Sequence, residues 1–320
     1  MGVPAAAAGV DAIRLRSERR GMEALLGDPA VKRACDAARA GLAGDLQRRR
    51  LLSEALRVTD KLMPEFAALL KKAQALAGPA GRVVEAFVHD DAKLNAACMD
   101  AGDGRVYLLF TSRIVERMTP GELLFVAGHE LGHAAFRHHD LPATALLRGA
   151  KGLTQAQALA LMSWSRRAEL SCDRVGFLCC RSLSDAASAL LKLTCGLGEP
   201  HVKLDLEALK TQMADITSLT AGVEASEDWL STHPYSPLRA AALAEFAAAP
   251  GAESSEARVE SLLSAMEPPS PEATSAAAAE VLLWGGLWLA RCSGGESAAE
   301  AEAVAGLAGA ERLAKARAEL

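Results

Sequence analysis

Aromatic residues are scarce in this chain, at 4 %, and the β-branched residues gather in a few places while alanine and leucine are everywhere. Extended sheet is built from aromatic and β-branched residues, so their scarcity argues against a largely β protein and for helices. An excess of basic charge is also missing. A net charge of −5 offers no electrostatic reason to bind nucleic acid, and Arg48-Arg49-Arg50 reads as a solvated helix face. A disulfide framework is excluded by seven unevenly spaced cysteines, Cys35, Cys98, Cys172, Cys179, Cys180, Cys195 and Cys292, which read as reduced thiols. The alanine run Ala5 to Ala8 has no basic flank and is too short for a secretion signal. The longest apolar run, residues 276–290, contains Glu280 and Gly285-Gly286 and falls short of the roughly 20 residues that cross a bilayer. No internal repeat is visible. The expectation is a soluble, cytoplasmic protein with no transmembrane segment.

What is present is a mostly helical chain with one interruption. Residues 11–77 carry apolar positions at three- and four-residue spacing, for example Leu62, Phe66, Leu69 and Leu70, until Gly78-Pro79 stops the pattern. Three short runs rich in β-formers follow, 83–88, 94–99 and 105–110, the last two separated by Asp100-Ala101-Gly102-Asp103-Gly104, whose glycines and aspartates suit a tight turn. Helical periodicity resumes at Thr111 and lasts to about Ala249. The fold class expected is mainly α with a small antiparallel β-sheet (α+β). The expected organisation is a helical N-terminal region over 1–80 packing on a core over 81–249, a Pro- and Ser-rich linker over 250–275, and a small helical appendage over 276–320.

The chemistry concentrates in His129-Glu130-Leu131-Gly132-His133. Thr119-Pro120-Gly121-Glu122 just upstream is a helix start, with Thr119 to cap, Pro120 at the first position and Glu122 to complete a capping box. On that helix His129 and His133 share one face, with Cβ atoms about 5–6 Å apart, so both imidazoles reach one ion while Glu130 projects beside them. Neutral nitrogen ligands with a neighbouring carboxylate base are what a catalytic zinc needs. As core histidines without a metal, the pair would carry an uncompensated desolvation cost. One further protein ligand is required. Glu169 and Asp173, four apart in Ser165-Arg166-Arg167-Ala168-Glu169-Leu170-Ser171-Cys172-Asp173, share a helix face: one carboxylate can bind the metal and the other can orient a ligand imidazole. A solvated acidic face with Arg166 and Arg167 is the alternative. His138 falls about 140° further round a continuous helix than His133, which favours a structural or surface role.

Across residues 91–243 the chain resembles the gluzincin metallopeptidases of the HtpX and CAAX prenyl protease (Ste24-like) type. Four ordered motifs carry the resemblance: Asn95-Ala96 followed by the glycine turn and Val106-Tyr107; His129 to His133 with His138 trailing; Ser165-Arg166 with Glu169 and Asp173; and Thr232-His233-Pro234 with Arg239. It implies Glu169 as third zinc ligand and Asp173 as the partner behind an imidazole. It further implies His233 over the metal, either supporting the tetrahedral intermediate or latching the open coordination position, and Arg239 as a positive residue that steadies the oxyanion. It also places Asn95 and Ala96 on an edge strand that holds an extended polypeptide substrate. Two features depart from the family pattern. Cys172 replaces a small alanine, either as a buried residue or as a thiolate near the ion, and the membrane helices of the best-known relatives are missing.

The function expected is therefore zinc-dependent endopeptidase activity with one Zn2+ per chain, a metal-activated water as nucleophile and Glu130 as general base. Two other readings fit the same residues: a zinc-containing scaffold whose N- or C-terminal helices recruit a protein partner, and a zinc hydrolase of a non-peptide substrate.

Overall fold

A computed structural model describes residues 8–40, 44–100, 102, 104–149, 153–198, 200–219, 233–250 and 253–267. The apolar run 276–290, Cys292, the expected appendage, Thr232 and the linker from residue 268 onward lie outside the described residues. No helix among the described residues is long and apolar enough to cross a membrane.

The chain opens with four helices, α1 (Ala8–Ala12), α2 (Arg16–Gly27), α3 (Pro29–Ala40) and α4 (Gly44–Glu54), then a two-residue strand β1 (Leu56–Arg57) and α5 (Pro64–Ala77). Strands β2 (Val83–His89), β3 (Ala96–Asp100) and β4 (Arg105–Thr111) follow, close to the three β-rich runs in the sequence. The rest is helical: α6 (Ser112–Arg117), α7 (Pro120–Ala135), α8 (Ala143–Gly149), α9 (Gln155–Cys180), α10 (Leu183–Cys195), α11 (Leu206–Leu219), α12 (Ser236–Ala248) and α13 (Glu253–Leu263). The fold is mainly α with one small sheet, as composition implies.

The sheet is mixed rather than wholly antiparallel. Its order is β1-β2-β4-β3, with β2 and β4 parallel and the other two pairings antiparallel. The physical reason lies in the connections. Gly102 and Gly104, both at positive φ, close a tight hairpin between β3 and β4. The longer stretch between β2 and β3 instead carries the chain past one strand position, and β4 fills the gap. β3 is left at the edge of the sheet, which matters for the site.

Helices α7 and α9 form the centre. The capping box expected at Thr119 is present, with Glu122 Oε2 accepting from the Thr119 amide at 2.7 Å and Thr119 Oγ1 accepting from the Glu122 amide at 3.3 Å. A second capping box, Thr154 with Gln157, starts α9. The two helices approach closely because glycine lines their seam: a Cβ added to Gly128 would meet the Gly176 Cα at 3.0 Å and the Cys179 Cβ at 2.9 Å. Phe125, Leu131, Val175 and Leu178 fill the space around that contact with Phe66 and Leu70 of α5 and Phe110 of β4.

The N-terminal helices pack on the same frame. Met22, Leu25, Val31 and Cys35 cluster with Leu161, Trp164 and Ala168 of α9. Elsewhere on α9, Arg166, Arg167 and Arg174 pair with Glu267, Glu260 and Glu256 in and after α13. Arg166 is 1 % exposed, so it is not part of a solvated face.

Candidate active site

Helix α7 carries His129 and Glu130 into the interior, where they are 7 % and 8 % exposed. One turn on, His133 Nε2 lies 3.3 Å from His129 Nε2. Helix α9 runs alongside and brings Glu169 to the pair: Oε2 is 3.5 Å from His129 Nε2, and Oε1 is 3.4 Å from His133 Nε2. Tetrahedral zinc with bonds of about 2.0–2.1 Å spaces its ligand atoms about 3.3–3.4 Å apart, and the separations here are close to that, with one Glu169 oxygen facing each imidazole. The donor set, two imidazoles and a carboxylate, suits zinc.

The electrostatics point the same way. Burial alone would disfavour a positive charge on His129, but Asp173 and Glu169 outweigh it and raise its pKa. Burial would likewise disfavour the Glu169 carboxylate, yet His129 and His133 hold its pKa well below the ordinary value.

Behind His129 stands Asp173, whose Oδ1 is 2.9 Å from His129 Nδ1. Arg239, in the first turn of α12, grips both oxygens of Asp173, at 2.6 and 2.8 Å, and its Nη1 lies 3.5 Å from Glu169 Oε2. The Asp173 pKa is lowered although burial opposes it, because Arg239 and then His129 favour the carboxylate. His233 approaches from the solvent side, its side chain 66 % exposed and its Nε2 3.7 Å from Glu169 Oε1. A cavity of about 420 Å³ opens beside it, lined by Leu193, Ile216, Pro234 and Tyr235 among others. Asn95 is exposed just before edge strand β3, and Ala96 is half-buried at its first position. That strand lies near the Glu130 carboxylate: burial raises the Cys98 thiol pKa, and the Glu130 charge raises it further.

Sequence reasoning missed one neighbour. His138 is buried, with Nδ1 3.1 Å from His133 Nδ1. The angular argument against it assumes a continuous helix, but α7 ends at Ala135 and Arg137 adopts φ 58°. This left-handed residue turns the chain back beside the last helical turn, and an arginine there gives no local warning of it. Cys172 Sγ lies 3.6 Å from the same His138 nitrogen. Burial and the surrounding carboxylates push that thiol well above its ordinary pKa, so it behaves as a small buried thiol rather than a thiolate.

Comparison with known proteins agrees with this geometry. The profile of peptidase family M48 matches residues 63–247, more than half of the chain. The chain belongs to peptidase family M48. It is 25 % identical over 174 residues to the Arabidopsis thaliana protein named plastoglobule-localized metallopeptidase 48, chloroplastic, covering 50 % of this chain and 51 % of that one. The chain thus spans about half the length of the curated relative it matches. No solved structure matches. The family is one of peptidases, and the matched segment contains α7, α9 and all but the last residue of α12. Helices α1 to α4 lie outside it.

Proposed function

We propose that this protein is a zinc-dependent endopeptidase in which His129, His133 and Glu169 hold one Zn2+ and Glu130 is the general base. The observation that carries the reading is the set of three donor groups, 3.3–3.5 Å apart, on two packed helices with Glu130 adjoining them. Bound zinc would polarise the scissile carbonyl and acidify a water toward neutrality. Glu130 takes the proton of the attacking water and delivers it to the departing amine.

Asp173 accepts from His129 Nδ1–H, which fixes the tautomer that leaves the Nε2 lone pair facing Glu169 and His133. Arg239 acts by positioning in this scheme, because its guanidinium is already committed to Asp173 and Glu169. That leaves His233, on the open side, to support the oxyanion or to latch the site.

The substrate is an extended polypeptide added to the edge of β3. The Thr111 amide donates to the Asn95 carbonyl at 3.0 Å, so the alternation of an antiparallel ladder turns the backbone groups of Ala96 and Cys98 away from β4. The Cys98 carbonyl already contacts His139 Nε2 at 2.9 Å, which centres strand addition on the backbone of Ala96, with Asn95 offering its exposed side chain beside it.

Glu130→Gln tests the mechanism. With zinc retained, cleavage of an unfolded protein substrate should fall by about 10²–10⁴-fold, the range for loss of a general acid-base group. Undiminished cleavage would sink the assignment, and zinc binding without turnover of any peptide by the wild type would favour the scaffold reading.

A further inference from the structure

The neighbours of His133 form a chain that leaves the matched segment and ends on helix α2. His133 Nδ1 and His138 Nδ1 are 3.1 Å apart, so one must donate and the other accept. His138 Nε2 lies 3.3 Å from Oε1 of Glu18, a residue with 0 % exposure. That contact is longer than an ideal hydrogen bond. The nitrogen is buried and makes no hydrogen bond of full geometry among the described residues; a buried N–H is costly unless something accepts it, and the Glu18 carboxylate is the acceptor beside it. Glu18 is held in place by Arg14, through a bidentate ion pair, and by the Trp164 indole N–H at 3.0 Å.

We infer that Glu18 and His138 are positioning residues for the metal centre, fixing His133 in the tautomer that presents Nε2. The inference rests on the reading of His129, His133 and Glu169 as the metal ligands. Its logic runs through protons. A ligand Nε2 must offer a lone pair, so the His133 proton sits on Nδ1 and points at His138 Nδ1. A neutral His138 that accepts at Nδ1 carries its own proton on Nε2, toward Glu18. A carboxylate bound to arginine accepts and does not donate, so the direction of the whole chain is set from α2. The Cys172 thiol, a weak donor 3.6 Å from His138 Nδ1, shares that acceptor without reversing it. Asp173 and Arg239 do the equivalent for His129.

The test is the zinc affinity of the full chain by competition with a chromophoric chelator, with the thermal midpoint of the stripped protein as a control on folding. His138→Phe keeps bulk against Trp164 and Phe136 but neither accepts nor donates; it should weaken zinc binding by about 10–100-fold. His138→Gln retains an acceptor and a donor and should recover most of the loss. Glu18→Gln should weaken binding by a smaller factor, and the Glu18→Gln, His138→Phe double variant should bind no more weakly than His138→Phe alone, because Glu18 acts through His138.

Wild-type affinity in a folded His138→Phe protein would overturn the inference, as would multiplying losses in the double variant. If His138→Phe does not fold, Glu18→Gln decides alone: reduced affinity supports the chain and unchanged affinity overturns it. Two zinc ions per wild-type chain, with one lost in His138→Phe and in Cys172→Ser, would make the cluster of His133, His138 and Cys172 a second metal site and overturn the positioning role. A wild type that binds no zinc breaks the metal reading and this inference with it, whereas one tightly held zinc with unmoved variants breaks this inference alone.

Discussion

The two histidines of the site are one helical turn apart, yet they are braced in different ways. His129 leans on Asp173 and Arg239, a carboxylate and a cation in direct bidentate contact, both inside the segment that defines the family. His133 leans on a second imidazole, and only then on a carboxylate and a cation, Glu18 and Arg14, both outside that segment. The first brace is short, charged and local to α7, α9 and α12. The second is longer, has a neutral link, and depends on α2 docking against Trp164. The difference teaches that the proposed metal centre would draw on parts of the chain a family profile does not cover.

The largest effect is expected from breaking the short brace. Asp173→Ala leaves Arg239 buried with its main partner gone and His129 without an acceptor. Removing one member of a buried ion pair costs about 3–5 kcal/mol, and denaturant unfolding of the stripped protein should report a loss of that size. A loss under about 1 kcal/mol would mean that water or Glu169 takes over the guanidinium, and that the brace matters for orientation alone.

The long brace should show itself in acid. Burial alone would raise the Glu18 pKa, but Arg14 and His138 more than offset that and bring it to about 2, against an ordinary value of 4.5. A folded pKa below the unfolded one contributes stability that is complete above pH 4.5 and is lost as pH falls from there toward 2. The full contribution is on the order of 3 kcal/mol. The unfolding free energy of Glu18→Gln should therefore fall less steeply than that of the wild type between pH 5 and 3. Parallel curves would mean that the Glu18 charge is not stabilised by folding.

How much of this was legible in the sequence follows from the range of each signal. The α7 start, from Thr119 to Glu122, and the pairs His129/His133 and Glu169/Asp173 are local patterns at helical spacing, and a helix turns such spacing directly into geometry. The strands were legible for the same reason, since β-formers and turn residues mark them. Which strand lies between which was not, because the parallel pairing of β2 and β4 depends on how β3 is carried past, and no residue encodes that alone. His138 escaped because a single left-handed arginine ended the periodicity used to place it. Glu18 escaped because its partner is 120 residues away, and within Arg16-Ser17-Glu18-Arg19-Arg20 it looks like one surface charge among several.

The seam between the helices separates the braces in another way. A Cβ on Gly128, one residue before His129, would lie 2.7 Å from Cys179 Sγ and 3.0 Å from the Gly176 backbone, whereas on Gly132, one before His133, its nearest atom would be 3.1 Å away. Alanine at 128 must push the helices apart at His129, while alanine at 132 needs a shift of only a few tenths of an ångström. Overpacking typically costs 1–3 kcal/mol, so Gly128→Ala should lie at or above the top of that range and Gly132→Ala near its bottom. Equal losses would show that α7 moves as a rigid rod and that the braces are not mechanically independent.

The smallest effect on metal binding is expected at His233, which belongs to neither brace. Its side chain is two-thirds exposed, and its Nε2 lies 3.7 Å from Glu169 Oε1. Screening by water keeps such a contact weak, so His233→Ala should change zinc affinity by less than about fivefold, within the range of an exposed ion pair. Its effect on turnover can be much larger, because an oxyanion donor acts on the transition state and not on the resting site. Lost cleavage with retained zinc assigns His233 to that role. Faster cleavage assigns it to a latch that substrate must displace. A tenfold or greater loss of zinc would contradict the oxyanion role and would make His233 a ligand of the metal reached from the solvent side.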